Sequence, residues 1–168
     1  LDILFLQETR HKSDTSCQKE DLHSKYTLFF SPCKGVNNGV GIAIKNSLEF
    51  EVLTIECPDD RVVGLFGVLK RKKRKSIPLR IISAYGHQEH DKSKNLIWSS
   101  MSQLMSNSYG YRMSDVRTLI GLDANAKFGH ADANNKFVGN FVMQDESSPN
   151  GQKFLRFLMK HNLCAINT

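Results

Sequence analysis

Apolar residues recur at two different periods in this chain, and the period changes along its length. Residues 1–6, 26–30, 39–44 and 50–55 read as strands; the first is a short apolar run, and the last alternates apolar with polar as a half-buried strand does. Residues 61–69 and 77–85 are β-rich runs on either side of a polar interval, which is the pattern of a hairpin. Between these runs, 9–16 reads as a loop and 16–23 as a short helix, while Ser31-Pro32 and 35–39 carry turn signals. From residue 91 the spacing becomes helical. Leu96, Ile97, Met101, Leu104 and Met105 share one face of a helix over 91–108. A core strand follows at 116–122, and an irregular stretch rich in Asn, Asp and Gly at 129–148. Asn150-Gly151 precedes a second helix with Phe154, Leu155, Leu158 and Met159 on one face, and 163–166 returns as a strand. Strands first, then helices alternating with strands, predict an α+β or α/β sandwich: two packed β-sheets flanked by helices.

Composition narrows the class. At 168 residues the chain is expected to be a single domain, with 40% hydrophobic and 24% charged residues excluding a wholly disordered chain. No apolar run approaches the ~20 residues of a membrane span, so no membrane partner is expected. Four cysteines without a CxxC pair indicate neither a zinc site nor a disulfide framework, and reduced thiols in an intracellular protein are the expectation. Both ends of the sequence fall in strand-like runs, which predicts a piece of a larger chain.

The net charge of +6 has one source. Lys70, Arg71, Lys72, Lys73, Arg74 and Lys75 are consecutive; set aside those six of the 23 Lys and Arg residues, and the 17 that remain match the 17 Asp and Glu. Six like charges repel one another and favour an exposed hairpin tip. Three roles fit such a tip: a solvated charge run, contact with a DNA backbone, or a nuclear targeting signal.

Candidate chemistry sits where strands end. Glu8 follows the first strand, Tyr85 closes the run 77–85, and Asp123 and Asn125 follow Leu119-Ile120-Gly121-Leu122. Loops at strand ends are where a rigid sheet presents functional groups. In an extended segment Asp123 and Asn125 point the same way, and such a pair could take a proton from water while holding a developing oxyanion. An Asx-turn closing the strand is the structural alternative. Glu8 offers hard oxygen ligation suited to Mg²⁺, with Mn²⁺ as a substitute, rather than to zinc. Arg61 reads as a structural salt-bridge partner, His87 and His90 as exposed loop residues, and His130 as close enough to the Asp123 loop to reach a substrate. Trp98 interrupts the polar face of its helix.

The strings DILFLQETR, GVGIAI, DRVVGL, RIISAY, GLDANAKFG and NGQKFLRFLMKHNLCAINT occur here in the order seen in the endonuclease/exonuclease/phosphatase superfamily. The chain most resembles the endonuclease domain of LINE-type (non-LTR) retrotransposons, itself similar to apurinic/apyrimidinic endonucleases, and the resemblance covers nearly its whole length. It implies a DNase I-like sandwich that nicks DNA by metal-dependent phosphodiester hydrolysis, as a monomeric domain of a nuclear polyprotein. By the same resemblance Glu8 is the metal ligand, Tyr85 lies at the phosphate, Asp123 orients or deprotonates the attacking water and Asn125 supports it. Two departures stand out. Leu122 and Ala124 replace the glycine and phenylalanine of the family's G-D-F-N-A string, and Gly86-His87-Gln88-Glu89 replaces a proline-containing loop. The family's metal-site asparagine on an earlier strand, and its later Asp and catalytic His, have no counterpart in these 168 residues; His90-Asp91 is mid-chain and in reversed order. Without them the 168 residues are expected to be inactive alone. Phospholipid, inositol phosphate or RNA as substrate, and a catalytically dead domain that binds nucleic acid or a partner, are the alternatives the resemblance leaves open.

Overall fold

The computed structural model describes residues 1–12, 18–23, 25–33, 39–88, 96–130, 136–139 and 145–166. The loop residues 13–16, the turn signals at 35–38, His90, the first five residues of the expected helix at 91–108 and much of 129–148 lie outside them.

Among the described residues, eight strands form two four-stranded sheets. The first holds β1 (Ile3–Gln7), β2 (Gln18–Leu22), β3 (Tyr26–Phe30) and β4 (Val40–Lys45) in the order β1-β4-β3-β2. The second holds β5 (Phe50–Asp59), β6 (Val62–Leu69), β7 (Ile77–Tyr85) and β8 (Arg117–Asp123), in chain order. The two sheets pack face to face: Phe29, Val40, Ile42 and Ile44 from one meet Val63, Leu65, Leu79 and Ile81 from the other in a single buried cluster. Two helices, α1 (Leu96–Ser106) and α2 (Pro149–His161), complete an α+β architecture. No helix among the described residues is long and apolar enough to cross a membrane.

The chain divides into two compact units. Unit 1, Leu1–Tyr85 with Ser106–Leu122, is the sandwich. β4, β6 and β7 are buried nearly end to end, as strands covered on both faces are. β6 and β7 pair antiparallel from Val62 opposite Ala84 to Leu69 opposite Ile77, so the basic run forms the exposed hairpin tip the sequence predicts. Within the same unit, Phe5 of β1 lies against Gly121 of β8 so closely that any Cβ there would overlap its ring. Buried Arg80 reaches from β7 to Thr118 and to the Asn107 carbonyl; burial lowers its pKa and Glu56 opposes that shift.

Unit 2, Gly86–Met105 with Asp123–Thr168, is built on the two helices. Ser148 caps α2, accepting from Gly151 N–H at 3.1 Å, and Pro149 occupies the first turn, where a missing N–H costs nothing. Its core joins Phe128, Val138 and Leu158, with Phe154 stacked on Phe128 and on Trp98.

Several expectations are corrected. The segment at 18–22 is strand β2, not part of a helix: the 26–30 strand offers it a complete antiparallel ladder, and that pairing outweighs the helix propensity of Gln-Lys-Glu-Asp-Leu. Residues 163–166 are not a strand; beyond the Leu163 N–H bond that closes α2, Ala165 N–H to the Phe137 carbonyl is the one backbone bond they show among the described residues. In α1 Leu96 is exposed at the helix start, and in α2 Phe157 takes the buried place expected of Met159. Asn150-Gly151 lies inside the first turn of α2 rather than ahead of it, because the Ser148 cap and Pro149 start the helix earlier. Cys57 is disulfide-bonded, contrary to the expectation of reduced thiols; folding can join cysteines that no CxxC spacing announces.

Candidate functional site

In unit 1 one end of the sandwich gathers Glu8 and Tyr85. Thr9 N–H donates to the Gly39 carbonyl at 3.0 Å, Gly39 N–H to that of Asp60 at 3.2 Å, and Tyr85 N–H to that of Arg61 at 3.0 Å. Gln7 Nε2 donates to Ser83 Oγ at 3.4 Å, and Ser83 Oγ to the Leu6 carbonyl at 3.2 Å. The ends of β1 and β7 are therefore tied directly, two residues from Tyr85 and one from Glu8.

Glu8 leaves β1 with a φ of 51°, in the left-handed region that glutamate rarely adopts. Its carboxylate is about half exposed, with Arg10 Nη2 3.9 Å away as a loose, solvent-screened partner. Tyr85 is the opposite case. Its ring belongs to the buried core, and the Arg61 guanidinium stands 5.0 Å from its centroid. Arg61 thus makes a cation–π contact to the very tyrosine the resemblance places at the phosphate.

In unit 2 Asp123 and Asn125 adjoin. The Asp123 carboxylate accepts from Asn125 N–H at 3.0 Å, and Asn125 has a φ of 45°. This is the Asx-turn alternative, and the extended alternation that would align the two side chains stops at Asp123. The turn instead aims Asn125 Nδ2 at the Gly86 carbonyl, 2.8 Å away, while Gly86 N–H donates to the Asp123 carbonyl at 2.6 Å. A Cβ on Gly86 would strike the Ala124 backbone, so only glycine permits this approach.

Asn150 carries no motif assignment, yet it is 2% exposed and central to this loop. Its Nδ2 donates to the His87 carbonyl at 2.8 Å and to the Asn125 carbonyl at 3.0 Å. His87 is consequently buried rather than exposed as expected. Ser148 N–H donates to the Lys127 carbonyl at 3.0 Å, and Lys127 N–H donates back to Ser148 Oγ at 3.1 Å. Gly129 N–H donates to Ser147 Oγ at 2.8 Å. The sequence reading placed Asn150-Gly151 just ahead of the helix and gave Asn150 no role in these bonds.

His130 is exposed, 3.9 Å from the Asp145 carboxylate. Lys70, Arg71, Lys72, Lys73, Arg74 and Lys75 are all exposed; Lys70 is paired with Glu51 at 2.9 Å.

No group of three or more His, Cys, Asp or Glu capable of holding a metal occurs among the described residues. Half-exposed Glu8 is a hard oxygen donor of the kind Mg²⁺ takes, an ion that needs only one or two protein carboxylates beside water and phosphate oxygens. In comparisons with known proteins the chain matches no family model and no curated protein.

Proposed function

We propose that this chain is the phosphodiesterase part of a DNA-nicking endonuclease, with Glu8 holding Mg²⁺ or Mn²⁺ and Asp123 and Asn125 serving the attacking water. The observation that carries the reading is the joined ends of β1 and β7, which bring Glu8 and Tyr85 to one end of the sandwich, as the resemblance requires. The metal would supply Lewis-acid stabilisation of charge on the phosphate oxygens. The chain's residues do the rest. Asp123 accepts the water's proton or orients it, and its exposed carboxylate retains lone pairs beyond the Asn125 bond. Asn125 keeps Oδ1 for water because its Nδ2 is spent on Gly86. Arg61 holds the Tyr85 ring, and through it the hydroxyl at the phosphate. The basic tip supplies attraction to the DNA backbone, and the protein acts in the nucleus.

The test uses supercoiled plasmid with Mg²⁺ and the chain joined to the family's asparagine strand and histidine-bearing segment, which these 168 residues do not supply. Nicked circles are expected, with Glu8→Ala and Asp123→Ala each lowering the rate by at least about 100-fold. A folded, completed chain that leaves plasmid intact overturns the reading. Cleavage of RNA, an inositol phosphate or sphingomyelin instead would move it to another branch of the superfamily.

A further inference from the structure

We infer that Asn150 is the positioning residue that sets the geometry of Asn125, a role that rests on the phosphodiesterase reading for its catalytic meaning. Three observations on separate atoms support it. First, the Asn150 amide is donor to both loops at once, the one after β7 through His87 and the one after β8 through Asn125. Second, Asn150 Oδ1 is buried with no hydrogen-bond partner. A buried acceptor left unsatisfied is destabilising, and leucine would fill the same volume without one. Asparagine at this position is therefore explained by its two N–H groups and not by packing. Third, Asn125 is held in a left-handed conformation, so its direction depends on what grips its backbone. Its N–H is fixed by Asp123, its side chain by Gly86, and its carbonyl by Asn150. Because Asn150 sits in the first turn of α2, it transmits the rigidity of a 13-residue helix to the loop.

The experiment is amide hydrogen exchange and ¹H–¹⁵N spectroscopy on the 168-residue chain, wild type against Asn150→Leu. In the wild type the Asn150 side-chain amide is expected to exchange at least about tenfold more slowly than a free carboxamide. In Asn150→Leu the Asn125 side-chain resonances should move and its Nδ2 protons exchange about tenfold faster, while the amides of β6 and β7 keep their protection. A wild-type Asn150 amide exchanging at the free rate overturns the inference without any variant. So does Asn150→Leu with Asn125 unchanged. In the completed, nicking chain, Asn150→Leu should lower kcat by about 100-fold with KM little changed, the signature of a misplaced group rather than of lost binding. If Asn125 loosens as expected but the completed wild type never nicks DNA, the positioning role of Asn150 stands and the phosphodiesterase reading falls.

Discussion

Glu8 carries a backbone conformation that its side chain does not favour, and that is a residue-scale clue to function. Its φ of 51°, followed by 52° at Arg10, places two long side chains in the left-handed region within three residues. Such strain is retained where the surroundings over-determine it, and here Thr9, between the two, is fixed to the Gly39 carbonyl. Glu8→Gly removes the carboxylate and the strain together. Thermal unfolding should therefore rise by roughly 3 °C, equivalent to about 1 kcal/mol, while metal binding followed by Mn²⁺ relaxation is lost. A lower melting temperature would show that the carboxylate stabilises the fold more than the backbone strains it. Residues at this scale were legible only in part. Glu8, Tyr85 and Asp123 announce themselves by ending apolar runs, but Asn150 does not, because its bonds span 63 and 25 positions and no local pattern encodes them. The left-handed turn at Asn125 was likewise hidden, since the residues before it alternate as a strand should.

Among elements, the β6–β7 hairpin was readable in full because its two runs are dense in β-branched and apolar residues and its interruption is charged at every position but Ser76. β2 was not, because Gln-Lys-Glu-Asp-Leu has no apolar period and becomes a strand only through its partner β3. The hairpin tip also supports a prediction about binding. Lys70 is paired with Glu51, Lys73 turns the chain with a φ of 58°, and all six cations are exposed to solvent. If they bind a DNA backbone, affinity for a duplex should fall steeply with salt, with a log–log slope of about 0.9 for each phosphate contacted. Replacing residues 70–75 with Ser and Gly should flatten that slope and leave the melting temperature nearly unchanged, because the tip contributes nothing to the buried cluster. Fluorescence anisotropy at several salt concentrations provides the comparison. Equal slopes for the two chains would return the tip to a solvated charge run.

At the scale of the whole molecule, the two units differ in what holds them together. Unit 1 is closed by two sheets whose central residues, Val40, Ile42, Val63 and Ile81 among them, are fully buried, so β4, β6 and β7 are braced by ladder bonds and by the opposite sheet. Among the described residues unit 2 relies on two helices, with Ile97, Met101, Leu104 and Phe157 buried, and on a small aromatic cluster against which Phe154 and Leu155 pack only partly buried; it buries fewer apolar side chains than unit 1, and Met159 is more than half exposed. Less apolar surface removed from water means lower local stability. The chain contains one tryptophan, Trp98, stacked on Phe154 and tilted against Phe157 in unit 2, so its emission reports on that unit. Far-UV dichroism in the β-sheet region reports mainly on unit 1, where all eight strands lie apart from the last residue of β8. On heating, the Trp98 transition should therefore come first, with a midpoint lower by about 5 °C or more than that of the sheet signal. Mg²⁺ with a duplex that engages Asp123 should raise the Trp98 midpoint by mass action and narrow the gap. Coincident midpoints without ligand would instead make the chain a single cooperative unit and overturn the ranking of the two.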